Sequence, residues 1–275
     1  MKRQGVLITA LATGATLTVG AWVEARRAGA PAAFNGSIAS GGRTCTECHD
    51  PDGVGAGTVE ILGAPAQYAL GERYSLRVRV SDPDQFGAGF ELSVEDANGR
   101  RAGDLVLTDA IRTRYAGSTT QWVTHTEDGA DDSVLNWSGN GFAYEYPVEW
   151  VAPTSDLGTV TFFAAGNAID DDGSTVGDNV YLAQSGADRA PTDCGAVNSL
   201  AAKCKDGTFK VVGKVKTSLA EGRALLLSLD GGAETSVVIN RRGKGKANWR
   251  NVAGGEHTVC VVDCETRCSS TSCNP

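Results

Sequence analysis

The chain has 275 residues, eight cysteines, 35 glycines and a formal net charge of −8, long enough for two β-rich units that each bury a core. The charge is unevenly spread: residues 194–275 hold 12 Lys and Arg against 7 Asp and Glu, a surplus of +5, which leaves −13 for residues 1–193. With no dense basic and aromatic patch, nucleic acid is excluded as the expected partner.

The first 25 residues, MKRQGVLITALATGATLTVGAWVEA, place Lys2 and Arg3 ahead of an apolar run and end on small residues. That is the order of an export signal, with cleavage expected after Ala25. The run is interrupted by Thr and Gly and falls short of the ~20 apolar residues a bilayer span needs. No later stretch is more apolar, so no stable membrane span is expected. Residues 26–61 read as an extended, Gly- and Ala-rich arm.

From Tyr74 the pattern becomes period two. Tyr74, Leu76, Val78 and Val80 alternate with Arg73, Ser75, Arg77 and Arg79, a strand with one buried face. The same alternation recurs in GFELSVED, FAYEYPVEW and TVTFFAAG, punctuated by the turn clusters SDPDQFG, EDANGR, EDGADDS and DDDGST. No long window carries helical spacing. The expected fold class is all-β, with an antiparallel sandwich over residues 62–185. After a polar linker at 186–193, residues 194–275 hold further short strands and six of the eight cysteines. An even cysteine count in an exported chain reads as a disulfide framework. This part is expected to be a small disulfide-tied β domain, its connectivity open.

Chemistry concentrates in TCTECH, Thr44 to His49. Cys45-x-x-Cys48-His49 has the spacing of covalent c-type haem attachment: two thiols add to the vinyl groups of one porphyrin, and the next imidazole ligates the iron. Two other readings of the same residues stay open, a Cys45/Cys48 disulfide and a zinc site that would need further ligands. Met1 is the only methionine and falls in the signal, which excludes His/Met ligation. The expected ligands are therefore His49 and His125, with Trp122 as a haem-packing ring and His257 or an open position as the alternatives for the second ligand. One covalent haem c is the expected cofactor. The acidic loop with Asp170, Asp171, Asp172 and Asp178 reads as a solvated turn before a calcium site, and the Arg241 to Lys246 turn as a solvated hairpin.

The acidic half also resembles the bacterial reeler-like, or choice-of-anchor V, domain. The matching positions are Gly63-Ala64-Pro65, Tyr68, Gly71, Tyr74, Gly89-Phe90, Ala102-Gly103 and His125-Thr126. They continue with Trp150, Ala152-Pro153, Gly158, Val160, Ala165-Gly166-Asn167, Gly173 and Gly177-Asp178, over about Gly41 to Gln184. The resemblance implies an immunoglobulin-like β-sandwich and, in many bacterial members, a Cys-x-x-Cys-His segment just before it. The histidine of His-Thr belongs to its pattern. The disulfides of eukaryotic reeler domains have no counterpart, since no cysteine lies between Cys48 and Cys194.

Together these readings give an exported monohaem c-type cytochrome-like protein for extracytoplasmic electron transfer or redox sensing. No catalytic constellation is found, and an enzyme is not expected. A redox partner protein is expected, and self-assembly is open. The alternative is a non-catalytic cell-surface binding or adhesion module with a Cys45/Cys48 disulfide.

Overall fold

The computed structural model describes residues 26–50, 55–205 and 209–274; the expected export signal lies outside the described residues. The described chain is nearly all β. In the first unit the strands are β1 (Thr58–Leu62), β2 (Gln67–Tyr68), β3 (Arg73–Ser81), β4 (Gly87–Glu95), β5 (Asp104–Leu107), β6 (Thr113–Tyr115), β7 (Trp122–His125), β8 (Ala143–Val151), β9 (Val160–Ile169) and β10 (Asn179–Arg189). They form one sheet in the order β1-β3-β8-β5 and a second in the order β2-β10-β9-β4-β7-β6. The alternating residues of the two sheets meet in a shared core around Trp150, whose ring packs on Phe162, Tyr68 and Tyr74 at centroid distances of 4.8, 5.8 and 5.5 Å. Its indole N–H donates to Ala102 O at 2.8 Å, so the one polar atom of this buried ring is satisfied.

Three boundaries differ from the sequence reading. Residues 58–61, assigned to the arm, belong to β1, an edge strand in antiparallel register with β3 from Thr58↔Ser81 to Leu62↔Arg77. Residues 186–189, assigned to the linker, complete β10. The turn cluster EDGADDS instead begins a helix, α1 (Glu127–Asn136). Thr126 caps it by accepting the Gly129 N–H, and Glu127 and Asp128 sit in its first turn, where carboxylates favour the exposed amides. Pro147 lies inside β8 at the first position beyond the stretch paired by β5, where a missing N–H is tolerated.

The arm does not hang free. β4 is buried along its whole length. One face, Phe90, Leu92 and Val94, enters the sandwich core. The other face, Glu91, Ser93 and Glu95, is roofed by the arm: Glu91 accepts the amides of Ala33 and Phe34, Ser93 Oγ accepts Asn35 Nδ2, and Glu95 accepts the amide of Ala39. An alternating strand thus supplies a row of acceptors at a spacing of two residues, and the arm's otherwise unpaired N–H groups find their partners there.

The second unit contains β11 (Val197–Lys205), β12 (Lys210–Thr217), β13 (Ala224–Leu229), β14 (Thr235–Val238), β15 (Lys244–Arg250), β16 (Gly255–Val261) and β17 (Cys268–Cys273). Its sheets run β11-β12-β15 and β14-β13-β16-β17. Three disulfides, Cys194–Cys264, Cys204–Cys273 and Cys260–Cys268, tie it together. They fit maturation in an oxidising compartment outside the cytoplasm. Ala224 and Leu226 enter the core of the first unit, and Arg189 reaches from β10 to Asp263. Among the described residues no helix is long and apolar enough to cross a membrane.

Candidate functional site

Thr44 caps a short 3-10 turn, Cys45–Glu47, in which the amides of Cys48 and His49 both return to Cys45 O, at 3.1 and 3.0 Å. This tight local geometry turns the two thiols and the imidazole toward one cavity. The arm is then fixed to the loop before β10 by Asp50 N–H to Thr175 O and by Gly177 N–H to Asp50 O, at 2.7 and 2.9 Å.

The cavity leaves about 900 Å³ free of protein atoms, open solvent included. Cys45, Cys48 and His49 line it from the arm, Ala88 to Phe90 from β4, His125 from β7, Ala130 from α1, and Asn167 and Ile169 from β9. Asp170, Asp171 and Asp178 come from the following loop, and Arg26 and Arg27 from the start of the arm. Arg27 is paired with Asp131 and Asp171, joining arm, helix and loop at the mouth.

Two glycines make room for this arrangement. A Cβ at Gly89 would lie 2.4 Å from His125 Cε1 and 2.9 Å from both ring nitrogens. The imidazole therefore rests directly on the β4 backbone. Gly29, at φ +94°, carries the arm across the His125 carbonyl, where a Cβ would meet the oxygen at 2.2 Å, so only glycine fits both the dihedral and the gap.

The two histidines differ in setting. His49 Nδ1 lies 2.6 Å from Asp178 Oδ2 and 3.1 Å from Asn167 Nδ2; the carboxylate, nearer and able only to accept, favours the tautomer with the proton on Nδ1. His125 is buried, and that burial lowers its pKa to about 4, with the charges of Arg114 and His49 adding to the effect. It is neutral at ordinary pH, the form that binds metals. Its Nδ1 accepts the Phe90 amide at 3.1 Å. With Nδ1 accepting, the ring's own proton is on Nε2, so a metal bound through Nε2 would have to displace it and would set an Nδ1–H between the Phe90 amide and the oxygens of Phe90 and Thr124, both at 3.4 Å. Burial, with the Glu91 charge second, raises the Cys45 thiol to about 12, which makes it a poor thiolate for disulfide exchange.

Of the residues singled out from sequence, Cys45, Cys48, His49 and His125 come together on one cavity. Trp122 does not line it: three residues before His125 on an extended strand, it sits roughly 10 Å away along β7, opposite Ser93 in register. His257 is elsewhere, in β16, with Nδ1 against Asp230 and Nε2 against Ala253 O at 2.7 and 2.8 Å. Sequence reasoning missed the part played by Asp178, Asn167 and Gly89. Asp178 and Asn167 join His49 only through long-range packing. Gly89, inside a strand otherwise rich in side chains, carried the one local signal, since glycine there marks a close approach.

The donor set fits a haem c. Two thiols and the imidazoles of His49 and His125 line one cavity with Phe34, Phe90, Ile169, Ala88 and Ala130, and Arg26 stands beside them as a cation for a tetrapyrrole carboxylate. Cys45 and Cys48 are free thiols. Among the described residues no three His, Cys, Asp or Glu side chains converge to hold a bare ion, so the further ligands of the zinc reading are not found there.

No protein-family model matches the chain. No curated protein matches it. Among solved structures it is similar to the reeler domain of human F-spondin, at 19% identity over 51% of this chain and 94% of that one, with a TM-score of 0.34. The Reelin-N domain of F-spondin gives 18% identity over 51% and 91% of the two chains, TM-score 0.33. A type II cohesin dyad from the ScaA scaffoldin of Acetivibrio cellulolyticus gives 10% identity over 76% and 89%, TM-score 0.30.

Proposed function

We propose that the protein is an exported, monohaem c-type cytochrome-like β-sandwich protein of the bacterial choice-of-anchor V type that serves extracytoplasmic electron transfer or redox sensing. The observation that carries this reading is the convergence of Cys45, Cys48, His49 and His125 on one cavity. When bound, the haem supplies a reversible one-electron change at iron. Cys45 and Cys48 would anchor it through thioether bonds, and His49 and His125 would supply the two imidazole ligands. Two imidazoles favour a low-spin iron at a lower potential than His/Met ligation gives. The apolar side chains of the lining would pack on the porphyrin, and Arg26, at the start of the arm, is the cavity's cation that no carboxylate pairs among the described residues and would meet a haem carboxylate. No enzymatic activity is proposed, and the electron partner is a second protein.

A second reading, a non-catalytic binding or adhesion module at a cell surface, asks less of the molecule. Three disulfides and two packed β units support it with no cofactor. It requires Cys45 and Cys48 to close a disulfide that the structure does not contain.

One experiment separates them. The chain is secreted from a host with a c-type haem maturation system, and its intact mass and visible spectra are recorded. One added haem with sharp low-spin bands, turning high-spin in His125→Ala, supports the cytochrome reading. A colourless protein, from a host that matures a control cytochrome, leaves the binding module.

A further inference from the structure

We infer that Asp178 is a positioning residue that holds His49 in its iron-binding tautomer and sets the iron to a low potential; this rests on the haem reading above. Asp178 is 1% exposed. Its Oδ1 accepts the Asp170 amide at 3.2 Å, and its Oδ2 accepts His49 Nδ1–H at 2.6 Å and Asn167 Nδ2–H at 3.3 Å. None of these partners is a lysine or arginine, so no full positive charge is bonded to the carboxylate. The loop that carries it is fastened on both sides, by the Asp50 pairing and by Gln85 Nε2 to Gly177 O at 2.8 Å.

Two consequences follow for His49. Nδ1 faces the Asp178 carboxylate at 2.6 Å and the Asn167 amide nitrogen at 3.1 Å. The shorter, charge-assisted partner favours the proton on Nδ1 and leaves Nε2 as the ligating nitrogen, and the Asn167 donor opposes that preference. A carboxylate also pulls on that proton harder than a neutral carbonyl does, which raises the basicity of the ligand. A more basic imidazole, together with a buried negative charge, stabilises ferric iron over ferrous iron and lowers the potential. Asn167 moderates the effect by sharing the same oxygen. Asp178 and Asn167 are therefore expected to act with opposite sign, which a merely structural role would not produce.

The test uses the full chain matured with haem and reads the midpoint potential by spectroelectrochemistry, with haem stoichiometry and spin state as controls. Asp178→Asn is expected to retain one low-spin haem and shift the potential upward. Asn167→Ala, which leaves Asp178 Oδ2 to His49 alone and removes the amide donor beside His49 Nδ1, is expected to shift it downward. An unchanged potential in Asp178→Asn, or shifts of the same sign in both variants, overturns the inference. A haem-free readout separates this from failure of the haem reading itself. In the Cys45→Ser/Cys48→Ser chain, nitrogen-15 NMR is expected to find His49 protonated at Nδ1, and to find that preference lost on adding Asp178→Asn. Protonation at Nε2 in the parent overturns the inference even if the native chain binds haem. A colourless native chain with the Nδ1 tautomer retains the positioning and refutes the effect on potential.

Discussion

The carboxylate of Glu91, entirely buried on β4, receives the amide of Phe34 at 2.6 Å. A second amide, that of Ala33, is bound to its other oxygen at 3.0 Å. Burial raises the Glu91 pKa to about 7 against an ordinary value of 4.5, the two amides opposing it. Because the folded value lies above the unfolded one, this group's contribution is fully present below about pH 4.5 and is lost as pH rises through about 7. The slope should amount to on the order of 2 to 3 kcal/mol across that window. Glu91→Gln is expected to flatten it in denaturant titrations between pH 4.5 and 7.5. Glu91→Ala, which orphans two amides, should cost about 2 to 4 kcal/mol and expose the arm to proteolysis.

Gly89→Ala should disturb the cavity selectively. The added methyl would sit 2.4 Å from the His125 ring, so either the imidazole or β4 must shift, at about 1 to 3 kcal/mol. Gly139→Ala is the control, with nothing within 4 Å of its Cβ position and an expected change within ~0.5 kcal/mol. Thermal unfolding compares the two. Equal losses would mean that close approach to His125 is not what Gly89 serves.

The disulfides should differ in weight. Cys204–Cys273 closes a sequence separation of 69 residues and Cys260–Cys268 one of 8. Loop-closure entropy gives about 4 kcal/mol for the first and about 2.5 for the second. Paired Cys→Ser variants, compared by urea unfolding, test the ranking.

Arg189 should couple the two β units. It bonds Asp156 and Asp263, each at 2.7 Å, with its own side chain 16% exposed. Arg189→Ala leaves both carboxylates without their cation and is expected to cost about 1 to 3 kcal/mol. Hydrogen exchange should quicken first where the units meet, at Ala224 to Leu226. A uniform change would argue against a local coupling role.

The strands with clean alternation were legible because their periodicity reflects a buried face directly: Arg73–Ser81 and Ala143–Val151 lie where Tyr74 to Val80 and Tyr144 to Trp150 place them. The polar face of β4 was not, since Glu91 and Glu95 look like solvent-facing residues until the arm covers them. Helix α1 was hidden by its composition, acidic and glycine-bearing with few apolar positions, and only the Thr126 cap marked it. Within the site, the pattern Cys45 to His49 was legible from spacing alone. Asp178 was not, because an aspartate in DDDGSTVGDN looks like any turn residue until packing seats His49 against it. The cysteine count announced disulfides without their pairing, which only the strand order decides.

The site divides into a local half and a distant half. Cys45, Cys48 and His49 occupy a single turn whose backbone hydrogen bonds close within the motif. His125, Asp178 and the β4 floor are brought to it by the six-stranded sheet that holds β4, β7 and β10. The motif is thus short-range in sequence while its walls are long-range, so a change in how β4, β7 or the loop before β10 pack would alter the cavity and leave the backbone hydrogen bonds of the turn in place.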